Sequence, residues 1–196
     1  MGNKLKEIKL YRLVRPLIKV FVLLAYRPKI EGRENIDDND GIILAGNHTN
    51  NLDCILLIAS TKRTIRFLAK DSLNKGFKKF LFRGMGIIPV DRVNHNNSKC
   101  IEEAESVLKN NGVIGIFPEG TINRTNDTIM EFKKGAVNFS KNTNKKIIPF
   151  VIKGKYKLFG GIRIRFYKPM EIDNNIDRYN DKLMKIIKSN LEDIWD

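Results

Sequence analysis

Short apolar segments alternate with segments of helical periodicity along most of the chain, and this alternation restricts the fold more than any other feature. Strands are predicted at residues 41–47, 64–70, 86–92, 112–120, 146–154 and 162–170. Helices are predicted at residues 52–60, 74–84, 98–110, 133–143 and 176–195. Strands and helices that alternate in this way form a mostly parallel sheet covered on both faces. The sequence therefore predicts an α/β fold with a mixed, mostly parallel central sheet flanked by helices.

The first 29 residues differ in composition from the rest, with eight basic residues and one acidic residue. Apolar side chains recur there every three or four residues, at Leu10, Val14, Leu17, Phe21 and Leu24. This periodicity predicts a basic amphipathic helix, which Pro16 can kink. Such a helix can lie in the interface of an anionic membrane; the alternative is a terminal helix packed on its own domain. We expect residues 1–29 to form a membrane-associating helix and residues 30–196 to form a single domain.

The charge of the chain restricts its partners rather than its fold. Its 36 basic and 22 acidic residues give a net charge of +14, which favours nucleic acid, an anionic membrane or phosphorylated substrates. Two cysteines and two histidines make a disulfide framework or a zinc site improbable. The longest apolar run, residues 20–26, is too short to span a bilayer and is not expected to be a secretory signal.

A histidine and an aspartate lie five residues apart in "NHTNNLD", residues 47–53. On a continuous helix they would be about 140° out of phase, so we expect His48 on the loop after a strand and Asp53 in the first turn of the next helix. Asn50 or Asn51 is a candidate cap for that helix. Asp53 can then accept the Nδ1 proton of His48 and leave Nε2 as a general base. No nucleophile accompanies the pair, so the substrate would supply the hydroxyl; a purely structural pair is the alternative.

Other chemically active residues follow other predicted strands. Glu119, Gly120 and Thr121 lie in "FPEGTINR", Arg92 ends "GIIPVDR", and Lys70 ends "TIRFLAK". Gly120 permits a tight turn that brings backbone amides close to an oxyanion, and the Arg92 guanidinium can bind a phosphate in bidentate geometry. Ligands of parallel sheets gather at the carboxyl ends of strands. These residues are therefore candidates for one binding site.

Four motifs occur in the order that is typical of one enzyme family: "NHTNNLD" at 47–53, "GIIPVDR" at 86–92, "FPEGT" at 117–121 and "IIPFVIKG" at 147–154. On these motifs the chain resembles the 1-acylglycerol-3-phosphate O-acyltransferases, the PlsC-like glycerolipid acyltransferases, over about residues 30–170. Two positions depart from the family pattern. Asn50 stands where the family usually has serine, and Ile122 where it usually has arginine, with Arg124 two positions later.

The resemblance implies the glycerolipid acyltransferase fold and an acyltransferase domain at residues 30–196. It further implies that His48 deprotonates the free sn-2 hydroxyl of 1-acyl-glycerol-3-phosphate (lysophosphatidic acid). The hydroxyl then attacks the thioester of an acyl carrier protein or of coenzyme A directly, which gives phosphatidic acid for phospholipid biosynthesis. Asp53 would orient His48. Neither a metal nor a cofactor is expected.

The resemblance also suggests how the acceptor is held. Arg92, with Lys70 and Arg124, would bind its phosphate, while Glu119 and Thr121 would shape the acceptor site. Glu119 is expected to organise neighbouring basic groups or the glycerol hydroxyl. Backbone amides around Gly120 would stabilise the oxyanion.

The expected location is the cytoplasmic face of the cell membrane, with the protein peripheral or monotopic on an anionic surface. One alternative is an acyltransferase of the same superfamily that acts on glycerol-3-phosphate or on another lyso-lipid. A basic nucleic-acid-binding domain is a remote alternative, because Phe117, Phe150 and Phe166 lie in apolar segments rather than among basic residues. A membrane-bound relative without activity is disfavoured by the presence of both His48 and Asp53.

Overall fold

A computed structural model describes residues 9–37, 39–70, 84–91 and 97–193. In this part of the chain the strands are β1 (Lys29–Glu31), β2 (Ile42–Gly46), β3 (Ile65–Lys70), β4 (Ile88–Val90), β5 (Val113–Ile116), β6 (Lys146–Lys157) and β7 (Gly160–Phe166). The α-helices are α1 (Lys9–Tyr26), α2 (Asp53–Ser60), α3 (Ser98–Lys109), α4 (Gly135–Thr143) and α5 (Ile176–Glu192). A short 3₁₀ helix spans Arg33–Asn35.

The described strands form one seven-stranded sheet in the order β1-β7-β6-β2-β5-β3-β4. Every neighbouring pair is parallel except the β6–β7 hairpin, which is antiparallel. The predicted mixed, mostly parallel sheet is therefore confirmed. Strand β2 lies at the centre, between β6 and β5. Its carboxyl end lies at the same edge of the sheet as the carboxyl ends of β3, β4 and β5.

Alternate residues of β2 point to opposite faces of the sheet, as the twofold periodicity of a strand requires. Ile42 and Leu44 belong to a core that is covered by α1 and α2. Ile43 and Ala45 belong to a second core, which is covered by α3, α4 and α5. A central strand with helices on both faces of the sheet has no residues that face solvent. The sequences of the central strands are therefore continuously apolar and do not alternate between apolar and polar residues.

Among the described residues, helix α1 packs on the sheet domain through one side only. Tyr11 and Val22 are buried against α2 and its neighbours, and the Tyr11 hydroxyl accepts a hydrogen bond from the Ile65 amide at 3.1 Å. The five apolar residues of the predicted amphipathic pattern differ in exposure. Leu17, Phe21 and Leu24 are exposed, whereas Leu10 and Val14 are half-buried. The helix continues through Pro16. No helix in the described ranges has both the length and the apolar character needed to cross a bilayer.

Some boundaries differ from the sequence predictions. Strand β1 was not predicted, because three residues at a sheet edge carry too little pattern to be recognised. Strand β6 continues beyond Gly154 to Lys157, since the β6–β7 hairpin prolongs it. Asn175, rather than Asp173, caps α5 and accepts a hydrogen bond from the Arg178 amide at 3.0 Å. Most of the predicted 74–84 helix, residue 92 and the last three residues lie outside the described residues.

Candidate active site

His48 and Asp53 are in direct contact at the carboxyl end of β2. His48 lies on the loop that follows the strand, and Asp53 is the first residue of α2, as the spacing predicts. The His48 Nδ1 atom lies 2.9 Å from Asp53 Oδ2. The histidine side chain is 15% exposed and the aspartate side chain is fully buried. Because a carboxylate only accepts, Nδ1 carries the proton, and Nε2 remains as the basic nitrogen.

Four further donors hold the Asp53 carboxylate, one of them the Thr49 hydroxyl, which lies 3.3 Å from Oδ1. Its Oδ2 atom accepts the backbone amides of Thr49 at 2.7 Å and Asn50 at 2.8 Å, and its Oδ1 atom accepts the Tyr156 hydroxyl at 2.6 Å. The cap position of α2 is not occupied by Asn50 or Asn51, the two candidates from the sequence. The residue at the cap position is Leu52, whose amide donates to Asn50 Oδ1 at 3.1 Å. Asp53 itself takes the loop amides, because a buried carboxylate needs donors on both oxygens.

Tyr156 is a permanent donor to this carboxylate. Burial raises the pKa of its hydroxyl above the ordinary value, and the negative charge of Asp53 and the hydrogen bond to it raise the pKa further. The hydroxyl therefore stays protonated at all physiological pH values.

The backbone of His48 is clamped by the "FPEG" loop and by the residues that follow it. The His48 amide donates to Glu119 Oε1 at 2.8 Å, and the Met130 amide donates to Glu119 Oε2 at 2.9 Å. The His48 carbonyl accepts the Asn123 amide at 2.8 Å. Glu119 is buried, and both of its carboxylate oxygens accept backbone amides. A carboxylate at this point ties the loop after β5 to the residue that bears the imidazole.

Asn47 ties the same loop to β6. Its side-chain amide donates to the Ile152 carbonyl and accepts the Ile152 amide, both at 2.8 Å. These two bonds replace the strand pairing that ends at Gly46. Phe117 stacks on the His48 ring, with ring centroids 4.0 Å apart and an interplanar angle of 15°. The imidazole is thus fixed from its backbone, its Nδ1 atom and one ring face.

Gly120 adopts a left-handed conformation with φ of 74°. Its own amide donates to the Phe117 carbonyl at 2.9 Å, so this N–H group closes the turn and is not available to an oxyanion. An added Cβ atom would lie 2.9 Å from Lys133 Cε, which shows that the Lys133 side chain crosses over the turn. Among the amides around Gly120, its own N–H group is therefore excluded as an oxyanion donor.

Two of the predicted phosphate ligands, Lys70 and Arg124, are among the described residues, as is Thr121. Lys70 is exposed at the carboxyl end of β3, and Thr121 and Arg124 are exposed on the loop after β5. These ends belong to neighbouring strands of the sheet. Arg92 lies outside the described residues.

Tyr156 and Phe117 are the site residues that the sequence reasoning did not assign. Tyr156 lies 103 positions from Asp53, in the part of β6 that was not predicted as strand. Phe117 was treated only as a core aromatic. A signal did exist for Tyr156: it is the one aromatic residue in the basic segment 153–157, which otherwise looks like a solvated turn.

This geometry suits abstraction of a proton from an alcohol. The imidazole is partly accessible, its tautomer is set by a buried acid, and that acid can stabilise the imidazolium after proton transfer. An activated oxygen could then attack a carbonyl carbon in a second, external substrate.

Comparison with known proteins points in the same direction. A family model described as Acyltransferase matches residues 27–153. A 1-acyl-sn-glycerol-3-phosphate acyltransferase of Borreliella burgdorferi is 34% identical over 143 residues, which are 71% of this chain and 57% of the relative. The Bacillus subtilis protein of the same name is 30% identical over 148 residues, which are 74% of this chain and 72% of the relative.

A solved structure shares the fold. The crystal structure of the lysophosphatidic acid acyltransferase PlsC from Thermotoga maritima superimposes with a TM-score of 0.74 at 22% identity, over 95% of this chain and 83% of that one. The match of the family model covers well over half of the 196 residues and includes His48, Asp53 and Glu119. The chain belongs to the acyltransferase family.

Proposed function

We propose that the protein is a 1-acylglycerol-3-phosphate O-acyltransferase, which converts lysophosphatidic acid into phosphatidic acid. The proposal depends above all on the 2.9 Å contact between His48 Nδ1 and Asp53 Oδ2, in which a buried acid holds the base. Two relatives that are at least 30% identical carry the same activity in their names.

The reaction proceeds by direct transfer. His48 Nε2 takes the proton of the sn-2 hydroxyl while that oxygen forms a bond to the thioester carbonyl carbon. The resulting tetrahedral intermediate collapses with cleavage of the carbon–sulfur bond, and the proton on His48 passes to the departing thiolate. Asp53 stabilises the imidazolium between the two steps. No acyl-enzyme is formed.

Cationic groups at the carboxyl ends of the strands would hold the acceptor phosphate. Arg92, Lys70 and Arg124 are the candidates that the family resemblance suggests, and Thr121 is a neutral donor beside them. A guanidinium suits this role because its paired N–H groups match two phosphate oxygens. Glu119 contributes indirectly, because it holds the backbone of His48 in place.

The acyl donor is a thioester of an acyl carrier protein or of coenzyme A, which acts as a cosubstrate, so the proposal needs neither a metal nor a cofactor. Both the acceptor and the product are lipids. Helix α1, with its basic residues and exposed apolar side chains, would therefore hold the enzyme in the plane of an anionic membrane surface, on the cytoplasmic face.

The test is an acylation assay with purified protein, oleoyl thioester donors of both kinds, and lysophosphatidic acid or glycerol-3-phosphate as acceptor. We expect phosphatidic acid as the product and a loss of at least about 1,000-fold in kcat for H48A. The matched control is H95A, which removes the other histidine of the chain and should retain activity. Acylation of glycerol-3-phosphate without acylation of lysophosphatidic acid would show that the proposed acceptor is wrong. Normal turnover by a folded H48A would show that His48 is not the general base.

A further inference from the structure

The outward side of α1 is an apolar strip that no described residue covers. Its members are Leu13, Leu17, Val20, Phe21 and Leu24, each more than half exposed. They recur at spacings of three and four residues along a helix whose other side is packed. Single exposed apolar residues are ordinary on protein surfaces, but a contiguous row of this length marks an interaction surface.

The tip of the β6–β7 hairpin carries two more exposed apolar side chains. Leu158 is 69% exposed and Phe159 is 68% exposed, and they form the turn between the strands. Phe159 has a left-handed φ of 67°, a conformation that hairpins usually assign to glycine or asparagine. A bulky residue in this conformation strains the backbone. Strain and apolar exposure thus coincide at one turn, which indicates a role other than stability.

The hairpin tip and the carboxyl end of α1 form one continuous surface. The Phe159 amide donates to the Ala25 carbonyl at 2.6 Å, and the Arg27 guanidinium lies 5.3 Å from the centroid of the Phe159 ring. The Tyr26 ring meets the Tyr156 ring edge to face at 5.5 Å. The two exposed apolar groups are therefore neighbours on one surface. We call them the docking face: Leu13, Leu17, Val20, Phe21, Leu24, Leu158 and Phe159.

The two segments that bear the docking face are rich in basic residues, although Lys29 at the end of the first one pairs with Glu31. Residues 9–29 contain six basic residues and no acidic residue, and the hairpin segment 153–161 contains three lysines and no acidic residue. An anionic bilayer complements an apolar strip with a positive border. A second copy of the chain does not, because a symmetric contact would bring two positive borders together.

We propose that the β6–β7 tip inserts into an anionic lipid bilayer together with α1, so that the protein docks through two elements. This inference rests on the proposed function, in which α1 alone holds the enzyme at the membrane. It adds a specific orientation of the protein on the membrane surface. Tyr156, two residues before Leu158, donates to Asp53, so insertion of the tip places the His48–Asp53 pair directly above the headgroups.

The first test is sedimentation of the full chain with vesicles of phosphatidylcholine that contain 30 mol% phosphatidylglycerol, without any acyl donor. The hairpin variant is L158N/F159N, and the matched control is I101N, which replaces an exposed apolar residue on α3. We expect the partition coefficient of the hairpin variant to fall roughly tenfold or more, since two large apolar side chains leave the lipid. The control should change less than about twofold. Equal binding by the hairpin variant and the parent overturns the inference.

The second test does not depend on a loss of binding. F159W in a W195F background has its one indole at the hairpin tip, and its fluorescence should shift to the blue and be quenched by lipids brominated on the acyl chains. Absence of quenching while the protein is bound overturns insertion of the tip. A change in oligomeric state of L158N/F159N with unchanged vesicle binding would show that the face binds a second copy, which also overturns it.

Activity is measured separately, with a short-chain lysophosphatidic acid that does not form vesicles. Failure of the parent to acylate this acceptor, with vesicle binding through the tip intact, would reject the proposed function alone. Acylation by a parent whose tip does not insert would reject the docking inference alone.

Discussion

The Tyr156 hydroxyl donates a hydrogen bond of 2.6 Å to Asp53 Oδ1, while His48 Nδ1 contacts Oδ2 of the same carboxylate. The phenol and the imidazole therefore compete for the charge of one acid. A donor on Oδ1 withdraws negative charge from the carboxylate and weakens its hold on an imidazolium. The phenol contact and the charge of the acid can each be removed separately by a single substitution.

Replacement of Tyr156 by phenylalanine tests the first half of this relationship. We expect Y156F to lose about tenfold in kcat/KM, because the Asp53 carboxylate loses a donor that fixes its position against His48. The matched control is Y179F, whose hydroxyl contacts Asp173 on the surface and should leave kcat/KM unchanged. Parent-like kcat/KM in Y156F would contradict the assigned role.

Replacement of Asp53 by asparagine tests the second half. The Oδ2 position must stay an oxygen because it faces the amides of Thr49 and Asn50, and the new amide nitrogen can then face the Tyr156 oxygen. D53N should keep the fold and the histidine tautomer but lose the counter-charge. We expect kcat/KM to fall about 100-fold or more.

Thermal unfolding and kcat/KM are the measurements. Parent-like kcat/KM in a folded D53N would mean that Asp53 does not act on His48 through its charge.

Replacement of Glu119 by glutamine should disturb the His48 backbone. Both carboxylate oxygens accept backbone amides, from His48 and Met130, so the new amide nitrogen must face an N–H donor. We expect a loss of about 1–3 kcal/mol in the free energy of unfolding and a fall in kcat/KM between about 10- and 100-fold. E131Q, at an exposed position, is the matched control for urea unfolding and kinetics. Parent-like stability of E119Q would show that the clamp is dispensable.

The two glycines of the "FPEG" and "FKKG" segments should respond differently to alanine. Gly120 has φ of 74°, so G120A should lose about 1–2 kcal/mol in the free energy of unfolding. Gly135 begins α4 with open space around its Cβ position, and G135A should be neutral or gain about 0.4–1 kcal/mol. Urea unfolding followed by circular dichroism measures both. Equal losses in the two variants would contradict the left-handed turn at Gly120.

Local sequence was sufficient for most of the described elements and for the acid–base pair. The apolar runs around Ile43 and Ile148 predicted buried strands, because helices on both faces remove the need for polar alternation. The five-residue spacing of His48 and Asp53 excluded a common helix face and placed the two residues on a loop and a helix start, where the structure has them. The basic amphipathic pattern predicted α1, although Tyr11 and Val22 turned out to be its buried members.

The partners of these residues were not readable from the sequence, because the chain brings them together only after the sheet has formed. Glu119 lies 71 positions from His48, Tyr156 lies 103 from Asp53, and Ile152 lies 105 from Asn47. No local periodicity encodes such contacts. They follow from the order in which β6, β2 and β5 lie side by side.

The sequence by itself thus determined the α/β class, the loop that bears the imidazole and the acid that faces it, because spacing and periodicity act within a few residues. Only the tertiary structure decided what holds that loop, which amide of the Gly120 turn is already used, and that the β6–β7 tip lies against the end of α1. The physical reason is that a hydrogen bond between distant segments depends on how the strands are stacked, and strand order is a property of the whole sheet.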